Sequence, residues 1–183
     1  MPFLMASMLQ AEGGDELIPF GVIALGAVMC LIITLVHGAG LDQIISRYKR
    51  RAKRAREKSW NPKLAASVFA GTVLLLLFLH LAEICIWGLA LRRVGLIHNI
   101  RDAVYFSANT YTTLGMGSML LPHNWRELSP IIAITGLFTF AWTTSEMFNI
   151  VGDQRDLVAE LRANRQKMAE SGRDSSPTTG PSR

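Results

Sequence analysis

Residues 17–36 run for twenty positions without a charge, interrupted only by Pro19 near the start. Wound into a helix at about 1.5 Å per residue, such a run covers the ~30 Å hydrocarbon core of a bilayer. A second run over 64–91 carries VLLLLFLHLAEICIWGLAL, with Glu83 as its only charge, and a third follows over 127–150. With half of its 183 residues apolar, the chain is too short for several soluble domains and too apolar for one ordinary soluble domain. The fold class predicted is therefore an all-α membrane protein. Its first transmembrane helix is expected over 17–40, and a third over 128–151 is announced by Ser129 and Pro130, a capping residue followed by a first-turn proline. The length of the first run and the acidic Glu12, Asp15 and Glu16 before it argue against a removable signal peptide.

Charge sets the expected orientation. Arg47, Lys49, Arg50, Arg51, Lys53, Arg54, Arg56, Lys58 and Lys63 lie between the first two spans, opposed in that run only by Glu57. Basic residues in short loops stay in the cytoplasm. The N-terminal residues 1–16 are then extracellular and the C-terminus is cytoplasmic, although Arg92 and Arg93 fall on the outer side against the rule. The location expected is a plasma membrane, specifically a bacterial inner membrane. Within residues 41–63, Leu41, Ile44, Ile45, Tyr48, Ala52 and Ala55 recur at helical spacing. That segment either lies along the inner interface with its cations on anionic lipid headgroups or serves only to fix topology. Nucleic acid is not an expected partner.

Residues 94–126 are too polar and too interrupted to cross alone, so they are expected to re-enter from outside. Asn99 followed by Asp102 reads as the start of a helix over 100–111, with the aspartate at the positive end of the dipole. Beyond it stands TTLGMGS, residues 112–118. Gly115 and Gly117, one residue apart, allow φ values that turn consecutive carbonyls to one side. This stretch resembles the TTVGYGD selectivity filter of the potassium-channel superfamily, with Met116 for the tyrosine and Ser118 for the aspartate. VYFSANTYTTLG, residues 104–115, is similar to the family's pore helix, Tyr105 and Phe106 standing where aromatics are common, and Trp125, Arg126 and Gly136 extend the likeness across 64–151.

The resemblance implies a tetrameric channel with three spans, a pore helix and a filter loop. No internal repeat is visible, so four loops require four chains, a homotetramer embedded in the bilayer. Carbonyls of Thr113, Leu114, Gly115 and Met116, with the Thr113 hydroxyl, would take over from the water around a monovalent cation, while the Leu114 and Met116 side chains point back into protein. Potassium is the permeant ion implied, with sodium admitted, and no further cofactor is expected. Met116 cannot supply the tyrosine's hydrogen bond, Ser118 removes a carboxylate, and Asn109 stands where some members carry a glutamate. These departures imply weaker selectivity or a filter that collapses, and the alternative is a non-conducting regulatory or scaffold subunit.

His80, Glu83 and Trp87 share one face of the second span. Glu83 either braces the pore helix through a hydrogen bond or titrates in response to external pH. Two side chains do not complete a coordination shell, so no metal site is expected of His80 and Glu83, and an enzyme using them would lack a nucleophile or third ligand. In the third span Thr135, Thr139, Thr143 and Glu146 draw a polar stripe, which either lines a vestibule or only bonds to the preceding turn. The family's inner helix, aligned on Gly136, would instead turn Phe140 and Thr144 to the axis. Gly136 is read as a gating hinge or as a site of close packing. Residues 152–170 continue as a cytoplasmic helix and 171–183, rich in Ser, Pro, Gly and Thr, as a disordered tail. Cys30 and Cys85 lie within spans and suggest no disulfide.

Overall fold

A computed structural model describes residues 20–57 and 62–174; the acidic N-terminus, the first residues of the first apolar run and the tail beyond 174 lie outside the described residues. Among the described residues there are four α-helices, α1 Phe20–Glu57, α2 Pro62–Arg93, α3 Ile100–Tyr111 and α4 Leu128–Asp174, and a 3₁₀ turn at His123–Trp125. Segments of α1, of α2, and of the 3₁₀ turn running into α4 are long and apolar enough to cross a membrane, at Phe20–Arg54, Ala66–Arg93 and His123–Glu160. No strand occurs among the described residues.

The short α3 wedges between α2 and α4, while α1 lies along α2 and also touches α4. Asn99 caps α3, its side-chain oxygen accepting from the Arg101 N–H at 3.0 Å. One apolar core gathers Val22, Ile33, Trp87, Leu91, Phe106 and Ile132 around the α3 end of the bundle. A second, smaller one joins Leu41 and Ile44 of α1 to Leu76 of α2. Gly21 lies against Trp125, so the start of α1 stands beside the loop that follows α3.

Two boundaries depart from the sequence reading. Residues 41–57 are not a separate interfacial segment but the continuation of α1. Their stripe faces protein rather than lipid: Leu41, Ile44 and Tyr48 are buried, and the Tyr48 hydroxyl donates toward the Ile150 carbonyl (3.4 Å) and Gln154 Oε1 (3.2 Å) of α4. The basic residues at 47–54 remain on the outside of that helix. Helix α4 likewise runs unbroken through 152–170 and includes residues 171–174, assigned to the tail from composition. It starts at Leu128, which puts Ser129 inside the first turn rather than before it.

Candidate functional site

Helix α3 ends at Tyr111, and the chain leaves it by a tight turn. The N–H groups of Thr112 and Thr113 still reach Ala108 O and Thr110 O, and those of Leu114 and Gly115 both reach back to Asn109 O, at 2.8 and 3.4 Å. From there the backbone alternates. Thr113, Gly115 and Gly117 adopt positive φ (57°, 67° and 139°), whereas Leu114 and Met116 between them do not. The sign of φ thus alternates along the loop, the kind of alternation that can turn successive carbonyls toward a common side. Glycine accepts this freely, whereas Thr113 costs about 1–2 kcal/mol of strain. No N–H from Met116 to Ser118 has a hydrogen-bond partner among the described residues.

The side chains of this loop are uncovered. Leu114 and Met116 are 61% and 63% exposed, and Tyr105 on α3 is also exposed, its ring against Gly117. Within this chain, then, Leu114 and Met116 do not point into surrounding protein. Phe106 and Asn109 face inward, and the Asn109 amide donates to Tyr105 O at 2.9 Å.

Behind the loop, all four helices meet in one buried polar network. Glu83 is fully buried; one of its oxygens accepts from His37 Nδ1 of α1 at 2.8 Å and the other from the Tyr111 hydroxyl. The Tyr111 oxygen also lies 2.6 Å from Thr139 Oγ1 and 3.1 Å from His80 Nδ1. Thr143 Oγ1 closes the ring, 3.0 Å from His80 Nε2 and 3.2 Å from His37 Nε2. Phe140 stacks on His80, ring centroids 4.2 Å apart, and meets the edge of Tyr111.

Glu83 therefore accepts a hydrogen bond from Tyr111, the last residue of α3. Sequence reasoning missed His37, the one α1 residue that takes part, and with it the third nitrogen or oxygen ligand judged absent near His80 and Glu83. Thr135 and Thr139 do not line a vestibule: both are buried and donate to carbonyls of their own helix, Thr135 to Ile131 O and Thr139 to Thr135 O and Gly136 O. Thr135 also touches Cys30 Sγ at 2.9 Å, while Cys85 is exposed, and both cysteines are free. The Phe140 ring turns to the network rather than standing clear of it. Thr144 is exposed with its hydroxyl on Phe140 O, and Glu146 is half-buried beside Asn149. Gly136 faces Tyr111 so closely that a Cβ there would lie 2.1 Å from the Tyr111 carbonyl oxygen, which identifies it as a packing position.

Because Tyr111 is the donor that joins Glu83 to the loop, Tyr111→Phe should destabilise the protein by about 1–3 kcal/mol through a partly unsatisfied buried carboxylate. Thermal unfolding in detergent measures it, and an unchanged midpoint would show that the hydroxyl is dispensable.

Comparison with known proteins agrees with this architecture. A family model described as ion channel (Ion_trans_2) matches residues 64–153, about half of the chain, from α2 through the loop to α4. No curated protein and no solved structure matches the chain. With apolar helices on either side of α3 and its loop, residues 64–153 belong to the ion channel family, as a two-helix pore module of the potassium-channel superfamily in a multi-pass membrane protein.

Proposed function

We propose that the chain is the subunit of a homotetrameric cation channel whose loop carbonyls at Thr113, Leu114, Gly115 and Met116 coordinate dehydrated potassium, with sodium less well excluded than by a tyrosine-containing filter. The alternating backbone at residues 113–117 carries this reading, because it is the arrangement that aims consecutive carbonyls one way. A non-helical loop with unpartnered N–H groups and bare Leu114 and Met116 is tolerated at membrane depth only against protein or a wet cavity. Neighbouring copies around an axis provide both. The α3 dipole, its carbonyl end leading into the loop, favours a cation there. The basic end of α1 packs beside the charged extension of α4 through Tyr48 and Gln154, away from the loop. A cytoplasmic location for that end therefore puts the loop outside.

Purified tetramers in liposomes test the assignment. Cation flux is expected from wild type and is lost in Gly115→Ala, because alanine resists φ near +67°. Intact tetramers that pass no cation at any voltage or pH would instead favour a regulatory or scaffold subunit. Selectivity is expected to rest on what packs behind the carbonyls. Under bi-ionic conditions Met116→Tyr should shift the reversal potential toward that of potassium, since a rigid ring replaces a flexible thioether. An unchanged ratio would release Met116 from that role.

A further inference from the structure

The network behind the loop contains more than a brace. One ligand atom each from His37, His80 and Glu83 falls within a cluster no more than 4.8 Å across, and all three residues are buried. With both imidazoles neutral, the protons available run one contact short. The His37 Nδ1–H serves Glu83, the Thr143 hydroxyl serves His37 Nε2, the His80 Nε2–H serves Thr143, and the Tyr111 hydroxyl serves Glu83. With these tautomers His80 Nδ1 faces the Tyr111 oxygen at 3.1 Å, lone pair against lone pair, with Glu83 Oε2 at 3.6 Å; the other tautomer of His80 leaves the single Thr143 proton to serve both Nε2 atoms, again one short. A positive centre closes that gap, either an extra proton or a metal ion.

We propose that His37, His80 and Glu83 bind a divalent ion of the zinc class, with the Tyr111 hydroxyl as a fourth donor. Two imidazole nitrogens and a carboxylate suit zinc, cobalt or nickel better than potassium, magnesium or calcium, which take oxygen ligands. Bonds of ~2.0–2.2 Å in a tetrahedron set donors about 3.3–3.6 Å apart. His80 Nδ1 stands 3.6 Å from Glu83 Oε2, at that spacing, and 3.1 Å from the Tyr111 oxygen, whereas the 2.8 Å from His37 Nδ1 to Glu83 Oε1 and the still shorter contact of Tyr111 with Glu83 Oε2 open by roughly 0.5 Å or more to admit an ion. The remaining nitrogens of both rings sit on Thr143, so both Nδ1 atoms are already turned inward, as the outer partners of ligating histidines turn them. The site joins the first span to α2 and α3 directly before Thr112, and it stands whether or not the loop conducts.

The test uses the full chain in detergent, stripped with a chelator and titrated with Co²⁺, with Zn²⁺ as competitor. About one cobalt per chain is expected, with the intense visible absorption of a tetrahedral site and its loss on adding Zn²⁺. His37→Gln should weaken binding on the order of 100-fold. His37→Cys keeps a ligand at the position, so it should retain the ion and add a thiolate-to-cobalt charge-transfer band, a signature that a folding defect cannot produce. Absence of a tetrahedral signal in folded wild-type protein would mean that a proton alone closes the network, and binding that survives His37→Gln unchanged, or a His37→Cys spectrum without the new band, would place the ion elsewhere. Each of these outcomes overturns the site.

Discussion

Gly136→Ala should cost about 3 kcal/mol or more and abolish flux in whatever tetramers still assemble. The new methyl group would meet the Tyr111 carbonyl oxygen at 2.1 Å, its carbon at 2.9 Å and the ring's Cγ at 3.0 Å. Two of those three atoms are backbone, so no side chain can rotate away; α3 and α4 must separate. Tyr111 is the last residue of α3, and Thr112 opens the loop. Separation on the order of 1 Å therefore displaces the first carbonyls of the loop, more than a coordinating site tolerates. Gly71→Ala supplies the control. It also lies within a helix, but nothing stands within 4 Å of its added carbon, so it should be neutral or stabilise by up to about 1 kcal/mol. Thermal unfolding and liposome flux on both variants decide the matter. A Gly136→Ala protein as stable and as permeable as wild type would show that the close approach is not a constraint.

Features that depend on neighbours in the chain were legible, whereas those that depend on neighbours in space were not. Each span announces itself because tens of apolar residues without charge have few alternatives to a bilayer. The segment between the second and third spans is equally local: Asn99 bonds to an N–H two residues on, and paired glycines advertise positive φ whatever surrounds them. Thr113 escaped this logic, for nothing in a threonine foretells φ of 57°; the loop imposes it. The polar stripe of α4 shows the opposite limit. Spacing reveals that Thr135, Thr139 and Thr143 share a face, but only the position of α3 decides that the face meets Tyr111 and the histidines instead of water. The stripe of α1 behaves alike, since amphipathic spacing cannot distinguish a lipid surface from the side of α4. His37 is the instructive omission. Glu83 required a partner, because a carboxylate in a span is costly alone, and a histidine on another span was the available candidate. It lies 46 positions away in the chain, beyond any local pattern.

That partnership yields a non-additive prediction. His37→Phe should destabilise the protein by about 3–5 kcal/mol, because Glu83 would stay fully buried without its hydrogen-bonding imidazole. Glu83→Leu alone should cost a similar amount for the complementary reason: it strands His37 and deprives the Tyr111 hydroxyl of its carboxylate acceptor. The double variant His37→Phe, Glu83→Leu removes both halves of the pair. Tyr111 retains Thr139 and His80 within hydrogen-bond distance, and the cavity stays filled by apolar groups of comparable volume. Replacing both partners of a buried hydrogen-bonded pair by apolar groups of similar shape is often close to neutral, so the double variant should be more stable than either single one. A coupling energy of about 2 kcal/mol or more is the expected result of the cycle. Flux need not follow stability, because a network held by packing alone no longer ties α1 to the loop through hydrogen bonds. Strictly additive losses, with the double variant the least stable of the three, would mean that His37 and Glu83 contribute separately and that the first span is not coupled to the pore helix through them.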